Sequence, residues 1–313
     1  MSLSKQDLIN YFVAGCKPVG HCQIGTENEV FAYHQKGWRR AGYSHGILPI
    51  FQKLIHEEKW EPVCEGEIII ALQKNGKAIT LEPGGQFELS GGVFPDLHQT
   101  KHELDDHIAM LQRLSKDMDI AFVPVGFEPL WSREEIGWMP KERYAIMRDY
   151  MPTKGNLGLD MMTRTCTVQA NLDYTSEKDM VQKMRVAMAL QPLVTALFAS
   201  SPFLEGKPTG FQSYRAHVWQ DTDPDRCGLL PFVFDDSFGF ERYVDYLLTV
   251  PMYFLYRDGK YINCAGQKFL DHIHEANLQD WADHTTVAFP ETRLKHFLEM
   301  RGADVGSLDM MIA

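Results

Sequence analysis

The chain has 313 residues, of which 44% are hydrophobic and 23% are charged, and its formal net charge is -11 at pH 7. This composition is typical of a globular protein with a sizeable core. The negative charge argues against nucleic acid or an anionic membrane surface as a partner, because neutralising phosphates requires an excess of Lys and Arg. Nucleotide phosphates remain possible ligands when metal ions lie between them and the carboxylates.

Helical and strand signals mix along the chain without regular alternation. Capping signals at Ser4 and Ser176, each followed three residues later by Asp, predict two helix starts, and LHQTKHELDDHIAMLQRLSKDM predicts a third helix. The predicted strands are CQIGTENEVFAY, EIIIAL, KAITLE, QFELS, RTCTVQANLDY and the pair MYFLYR and KYINC, joined by Asp258-Gly259. This pattern predicts an α+β fold around a largely antiparallel sheet. No repeat or linker interrupts the chain, so we expect a single domain, residues 1–313.

The cysteines and the apolar segments bear on the compartment. The six cysteines form no C-x-x-C pair, which disfavours a structural zinc site and a dense disulfide framework. The first residues, MSLSKQDLINYFVAGCKP, predict a short capped helix and not a secretory signal. The most apolar segment, VAMALQPLVTALFASSPF, is interrupted by Gln191 and Pro192, which predicts a buried core helix and not a membrane span. We therefore expect a reduced, cytoplasmic protein.

Strand parity brings polar residues together on one face. Side chains two residues apart in a strand share a face, and four candidate strands offer such pairs: Glu27 and Glu29, Gln86 and Glu88, Gln169 and Asn171, and Glu299 and Arg301. Carboxylate and amide oxygens suit magnesium, which completes its shell with water and phosphate. Any single pair is explained better by a half-exposed strand that turns polar residues to water. Four pairs rich in acids and amides favour one wall of a magnesium-nucleotide cleft.

Other short motifs carry less weight. GYSHG, residues 42–46, matches the G-x-S-x-G elbow of hydrolases, but the charged run HQKGWRRA before it is a poor buried strand, so a loop leading into a helix is favoured. His102 and His107 in HELDDH are five residues apart and diverge around a helix, which favours a solvated face over a zinc site. The chain has no G-x-x-x-x-G-K-[ST] motif, so a P-loop is not supported.

Longer blocks resemble the plant-type glutamate-cysteine ligases. The blocks are LEPGGQFELSGG, RTCTVQANLDY, LFASSPFLEGKPTGFQSYRAHVWQDTD, LLPFVFDDSFGFERYVDYLLTVPMYFLYR and FLEMRGAD. The resemblance implies a curved antiparallel sheet of the glutamine-synthetase-like type, with helices on its convex side and ATP, Mg2+, glutamate and cysteine on its concave face. It also implies the first step of glutathione synthesis, in which ATP phosphorylates the γ-carboxylate of glutamate and the amine of cysteine displaces phosphate. These small molecules are the expected partners, and we expect a monomer or homodimer.

The resemblance also implies roles for individual residues. The implied metal ligands are Glu27, Glu29, Glu88, Gln169 and Glu299, and the residues near the nucleotide are Glu82, Asn171 and Arg301. The implied substrate-binding residues are Arg143, Tyr144, Arg215, Trp219 and Tyr253. Arg215 resembles the carboxylate clamp for glutamate, and Arg215 and Arg301 are the implied catalytic cations. Arg143 and Tyr144 could equally have a structural role at the start of a helix. Tyr253 could instead lie in the hydrophobic core.

The chain departs from the family pattern at two places. It reads GTENEV where the family reads G-T-E-H-E-K, so Asn28 and Val30 replace His and Lys on the face away from Glu27 and Glu29. It also ends at GADVGSLDMMIA, where the family continues into a helical region, so we expect that this region is lacking. Two alternatives remain open: a related carboxylate-amine ligase with another amine, and a non-catalytic binding or regulatory protein, against which the intact acids count.

Overall fold

The computed structural model describes residues 3–313. Its α-helices are α1 (Lys5–Val13), α2 (Leu48–Glu58), α3 (Leu97–Met118), α4 (Glu142–Tyr150), α5 (Gly158–Arg164), α6 (Glu177–Leu197), α7 (Tyr214–Gln220), α8 (Phe240–Thr249), α9 (Phe269–His272), α10 (Leu278–Thr286) and α11 (Leu308–Ile312). The strands are β1 (Ile24–His34), β2 (Glu61–Glu65), β3 (Ile68–Lys74), β4 (Lys77–Leu81), β5 (Phe87–Phe94), β6 (Ile120–Val123), β7 (Val168–Leu172), β8 (Phe203–Leu204), β9 (Lys207–Pro208), β10 (Cys227–Gly228), β11 (Phe254–Arg257), β12 (Lys260–Asn263), β13 (Phe289–Pro290), β14 (Thr292–Leu294) and β15 (Leu298–Met300).

One antiparallel sheet organises the fold and confirms the predicted α+β class. Within residues 3–313 it has nine strands in the order β14-β15-β7-β1-β5-β4-β3-β2, and β6 also pairs with β1. Strand β1 lies at the centre, because β5 pairs along one side of it and β7 and β6 pair along the other. Every pairing in this sheet is antiparallel.

The predicted helix starts and the predicted hairpin are confirmed. Ser4 caps α1 and forms a capping box with Asp7, and the Ser176 side chain caps α6. Strands β11 and β12 pair through Asp258 and Gly259, which have φ values of 50° and 78°. Two successive positive φ values match the right-handed twist of a two-residue hairpin, which is why Asp-Gly predicted it. GYSHG forms a π-helical turn that leads directly into α2, as favoured over a nucleophile elbow.

Helices cover both faces of the sheet, but in different ways. On one face α3 packs against β5 and β6, with Leu111 and Leu114 in the same apolar cluster as Val30 and Phe87. Helix α6 packs against β14 and β15, with Met184 in a cluster with Leu298. On the other face, residues of α4, α5 and α7 border a cavity above the sheet. This second face carries the acidic residues of β1 and β5.

Helix α6 is buried on one face only, which corrects the expectation of a buried core helix. Met180, Met184 and Met188 are buried, whereas Val186, Leu190, Leu193 and Leu197 are each between 46% and 67% exposed. The helix continues through Pro192, so the Pro does not interrupt it as the sequence suggested. Among the residues described, no helix is both long enough and apolar enough to cross a membrane.

The turn Glu82–Gly85 holds the strand connection β4-β5 against the end of α5. Gly85 donates its N–H to the carbonyl of Glu82, and the Gln86 side chain accepts from the Gly84 N–H at 2.9 Å. The amide nitrogen of Gln86 donates to the carbonyls of Met162 and Thr165 at 3.1 and 2.9 Å. Gln86 therefore uses both ends of its amide to fix the turn.

Gly84→Ala is expected to destabilise the protein, because a Cβ at this position would lie 2.3 Å from the carbonyl oxygen of Thr163. Backbone cannot yield as a flexible side chain can, so the expected loss is about 1–3 kcal/mol in the free energy of unfolding. Denaturant unfolding measures it. Gly137→Ala is the matched control, since a Cβ there meets no atom within 4 Å. Equal stability of the two variants would contradict the proposed close approach.

Candidate active site

A cavity of about 270 Å³ lies over the polar face of the sheet and gathers most of the residues predicted from the sequence. Its lining includes the predicted residues Glu27, Glu29, Glu82, Glu88, Arg143, Tyr144, Gln169, Arg215, Trp219, Glu299 and Arg301. Strands β1, β5, β7 and β15 supply its floor, and α4, α5 and α7 supply its walls. Residues far apart in the chain therefore meet in one place.

The strand register explains why these side chains share a face. Glu29 lies directly opposite Glu88 on β5, and Glu27 lies directly opposite Gln169 on β7. Directly opposed residues of antiparallel strands point to the same side of the sheet. Asn28, between the two β1 acids, points to the other face, where it borders a second cavity against α3. The register thus supports the parity prediction for the carboxylates.

Three carboxylates on this face, those of Glu27, Glu29 and Glu88, form no ion pair with a Lys, Arg or His side chain of residues 3–313. Burial raises the pKa of Glu27 to about 7, with further increases from Glu299 and Glu88. Burial, with the nearby charges of Glu82 and Glu88, raises the pKa of Glu29 well above its ordinary value. Burial and Glu82 likewise raise the pKa of Glu88. Desolvation and mutual repulsion thus both disfavour the ionised forms.

These three acids keep polar contacts that hold them in place. Glu29 accepts from the Thr167 N–H at 3.0 Å, and Glu88 accepts from the Thr80 and Ser90 hydroxyls at 2.7 and 2.9 Å. The Glu27 carboxylate accepts from the Asn171 side chain at 3.2 Å. All these donors are neutral, so they orient the carboxylates without cancelling their charge.

Glu299 has the opposite environment. The Arg293 Nε and Nη2 donate to its two oxygens at 2.5 and 3.0 Å, and the Arg301 Nη1 donates at 3.2 Å. The Lys295 Nζ lies 3.5 Å away. Burial alone would raise the pKa of Glu299, but these cations hold it well below its ordinary value. Glu299 thus serves as an anchor for cations in this structure.

Gln169 joins Glu299 on the cationic side of the cavity. Its side-chain oxygen accepts from the Arg301 Nη1 at 2.7 Å, and the residue is only 4% exposed. The five predicted metal ligands therefore divide into two groups. Glu27, Glu29 and Glu88 form no ion pair within residues 3–313, whereas Gln169 and Glu299 accept hydrogen bonds from Arg301.

The donor set fits a divalent cation that is shared with a phosphate. Among residues 3–313, no three His, Cys, Asp or Glu side chains lie close enough to enclose an ion by themselves. Magnesium does not require such a cage, because it usually takes one or two carboxylates and completes its shell with water and phosphate oxygens. The repulsion among Glu27, Glu29 and Glu88 is the specific observation that favours such a cation.

Arg215 and Trp219 form the wall contributed by α7. The Arg215 guanidinium is 3% exposed and donates to the backbone carbonyls of Arg301 and Gly302 at 2.8 and 3.3 Å. Its Nε and the indole Nε1 of Trp219 have no hydrogen-bond partner among the residues described. Four residues apart on a helix, these two donors lie on the same side. Both N–H groups are buried donors whose hydrogen-bonding capacity is unused among the residues described.

Helix α4 contributes Arg143 and Tyr144. The Tyr144 hydroxyl donates to the carbonyl of Leu81 at 2.6 Å, and the Arg143 guanidinium lies 5.4 Å from the Tyr144 ring centroid. Burial, followed by repulsion from Arg143, lowers the pKa of the neighbouring Lys141 to about 8. Tyr144 thus has the structural role of anchoring α4, and Arg143 borders the cavity.

Two predicted residues do not line the cavity. Tyr253 is fully buried in an apolar cluster, where the Arg226 guanidinium lies 4.1 Å from its ring centroid, and the next residue, Phe254, lines the cavity instead. Neighbouring residues in an extended segment point to opposite sides, so Phe254 faces the cavity when Tyr253 faces the core. Asn171 turns its amide onto Glu27, so it reaches the site only through that carboxylate.

The sequence reasoning missed several residues of the cavity. Arg293 and Lys295 complete the cationic side, and Thr286, Phe289 and Phe254 border it. Arg293 lies directly opposite Glu299 in the pairing of β14 with β15. A parity signal was present in the TRLK run, where Arg293 and Lys295 are two residues apart, but such a short strand carries no other signature.

Glu27→Gln is expected to stabilise the metal-free protein more at pH 8 than at pH 5. The pKa of Glu27 is raised from 4.5 to about 7, so its stabilising contribution is complete below about pH 4.5 and is lost as the pH rises through 7. The expected gain at pH 8 is about 1–2 kcal/mol after allowance for solvent screening. Thermal unfolding with a chelator at both pH values measures it, and an equal gain at both would contradict the assignment.

Comparisons with known proteins identify the family of the chain. Residues 23–313 match the glutamate-cysteine ligase family 2 (GCS2). The chain is 51% identical to the chloroplastic glutamate-cysteine ligase of Brassica juncea and 52% identical to that of Arabidopsis thaliana, over 97% of this chain in both cases. These alignments cover 61% and 60% of the two relatives, so the chain spans less than two thirds of their length.

A solved glutamate-cysteine ligase from Francisella tularensis, in complex with AMP, is similar with a TM-score of 0.46 and 12% identity. That match covers 90% of this chain and 61% of the other.

The expectation of a cytoplasmic protein was wrong, because the curated plant relatives are named as chloroplastic enzymes. The match over residues 23–313 places the chain in the glutamate-cysteine ligase family 2.

Proposed function

We propose that the protein catalyses ATP-dependent ligation of the γ-carboxylate of glutamate to the amine of cysteine. The observation that carries this proposal is the division of one cavity into two sides. One side holds the carboxylates of Glu27, Glu29 and Glu88, which have no ion-pair partner among the residues described. The other side holds the cations Arg215, Arg293, Lys295 and Arg301, whereas Arg143 lies near Glu82. Such a site suits a reaction in which a metal-bound triphosphate meets an anionic carboxylate.

The acidic side is proposed to hold Mg2+ together with ATP. Glu27, Glu29 and Glu88 would supply the protein ligands, and Glu82 borders the same side. Bound magnesium would neutralise phosphate charge and permit the approach of a carboxylate. We assign Gln169 and Glu299 to the orientation of Arg301, because both accept hydrogen bonds from its Nη1. This revises the sequence prediction, which placed them among the metal ligands.

The α7 wall is proposed to bind glutamate. Arg215 retains its Nε–H, and Trp219 retains its indole N–H, beside a guanidinium that is already fixed by two backbone carbonyls. A prepositioned guanidinium can grip a carboxylate with parallel hydrogen bonds at little further ordering cost. Arg301 lies between this wall and the acids, where it would stabilise negative charge that develops during phosphoryl transfer.

The apolar part of the lining favours a small, soft side chain on the attacking amine. Met147, Met161, Met162 and Phe254 line the cavity, and sulfur and aromatic groups pack well against a thiol. Since Tyr253 does not reach the cavity, these residues replace it in the proposed cysteine pocket. A related carboxylate-amine ligase would keep the same metal and glutamate sites, and its pocket for the amine would have different lining residues.

The proposal is tested by ADP release with a panel of amines. Release should require glutamate, Mg2+ and an amine together, with cysteine preferred over alanine, serine and glycine, and mass spectrometry should detect the γ-glutamyl product. Preference for another amine would favour the related ligase. ADP release that is independent of glutamate would contradict the proposal.

Glu88→Gln should nearly abolish Mg2+-dependent ADP release and leave the fold intact. The amide oxygen can still accept from one of the Thr80 and Ser90 hydroxyls, and the amide N–H can donate to the oxygen of the other. The substitution therefore keeps polar contacts and removes the charge that we assign to the metal. Circular dichroism checks the fold. Glu103→Gln is the matched control, because Glu103 is a similarly buried acid, 7% exposed, that binds the Gly92 N–H away from the cavity. Near-normal turnover of the Glu88 variant would refute the metal assignment.

Arg215→Lys should raise the KM for glutamate about tenfold to a hundredfold, with a much smaller change for ATP and cysteine. Lys keeps the charge but cannot reproduce the planar fork, and a charge-assisted hydrogen bond contributes about 1.5–3 kcal/mol. Titration of each substrate with the others saturating separates the three constants. Arg164→Lys is the control, since Arg164 is a buried arginine paired with Asp160 outside the cavity. A shift confined to ATP would move Arg215 to the phosphate site.

A further inference from the structure

Asp304 is a buried carboxylate behind the cavity that none of the roles above uses. It is 1% exposed and follows the Arg301–Gly302 carbonyls that hold the Arg215 guanidinium. A Cβ on Gly126 would lie 2.4 Å from the Asp304 carboxyl carbon, so the side chain is closely packed. Such a placement confines the carboxylate to one orientation.

Both carboxylate oxygens of Asp304 accept hydrogen bonds from the segments that begin and precede α7. Its Oδ2 accepts from the Ser200 N–H at 2.9 Å and from the Ser201 hydroxyl at 2.6 Å. Its Oδ1 accepts from the Ser213 hydroxyl at 2.9 Å, and the Arg215 Nη1 lies 4.0 Å from the same oxygen. Three donors and one cation therefore converge on this single group.

The hydroxyls of Ser201 and Ser213 connect Asp304 to the backbone of α7. A hydroxyl has one hydrogen to donate, and Ser201 and Ser213 each donate it to Asp304. Their oxygens then act as acceptors, from the Arg215 N–H at 3.2 Å and from the Ala216 N–H at 3.1 Å. Asp304 thus sets the direction of both hydroxyls and fixes the first turn of α7, where Arg215 lies.

We propose that Asp304 is a positioning residue that holds Arg215 in the orientation needed to bind the glutamate carboxylate. It acts through the Ser201 and Ser213 hydroxyls and through its charge beside the guanidinium. The substrate named here rests on the proposed function, whereas the positioning of Arg215 does not. An ionised carboxylate is required, because an amide would present a donor to groups that already donate.

The test is Asp304→Asn, measured in two independent ways. The KM for glutamate should rise about tenfold while that for ATP changes less than about twofold, as expected for the loss of one charge-assisted contact to a single substrate site. Separately, the rate at which phenylglyoxal modifies Arg215, followed by mass spectrometry of its peptide, should increase. The second measurement does not depend on turnover, so it decides the positioning claim even if the wild-type protein does not ligate glutamate to cysteine.

Asp160→Asn is the matched control, because Asp160 is a buried acid, 6% exposed, paired with Arg164 and Arg133 away from Arg215. It should leave the Arg215 modification rate and the KM for glutamate unchanged. If the Asp304 variant fails to fold, Ser213→Ala and Ser213→Thr carry the same test. The Ala variant should raise both quantities, and Thr, which retains the hydroxyl, should restore them. An unchanged modification rate in the folded variants would overturn the proposal.

Discussion

The burial of like charges on the central strand is the constraint on which the site depends. Glu29 and Glu88 face each other across β1 and β5, and each is less than 10% exposed. Desolvation and repulsion raise the pKa of Glu27, Glu29 and Glu88, which costs stability when these groups ionise. A protein that retains such a cluster is arranged to bind positive charge there. This electrostatic strain is the observation that supports the proposed metal-nucleotide site.

The cationic side is built in the opposite way, because each cation is anchored before a ligand arrives. Glu299 holds Arg293 and Arg301, Gln169 also holds Arg301, and the carbonyls that follow β15 hold Arg215. The short segment 299–304 therefore sets the positions of several guanidinium groups. Prepositioned charges need little reorganisation during the reaction, which is the property that electrostatic catalysis requires.

Local signals in the sequence predicted much of this arrangement. Strand parity placed Glu27, Glu29 and Glu88 on one face, since alternation is a property of the strand itself. Contacts between distant segments, which parity cannot predict, determine the roles of the other polar residues. Gln86 fixes a turn, and Glu299 is neutralised by Arg293. Phe254 lines the cavity, and Tyr253 does not. Strands β14 and β15 have three residues each, too few for a periodic pattern to identify Arg293 as a site residue.

Magnesium binding should release protons if Glu27, Glu29 and Glu88 hold the ion. A metal ligand must be ionised, so carboxylates whose pKa values are raised must lose protons when the ion binds near pH 7. Calorimetric titration with Mg2+ and a non-hydrolysable ATP analogue, repeated in buffers of different ionisation enthalpy, measures the number of protons released. We predict a net release of protons at pH 6.5 that decreases by pH 8.5 and is smaller in the Glu27→Gln variant. Binding without proton release at pH 6.5 would contradict it.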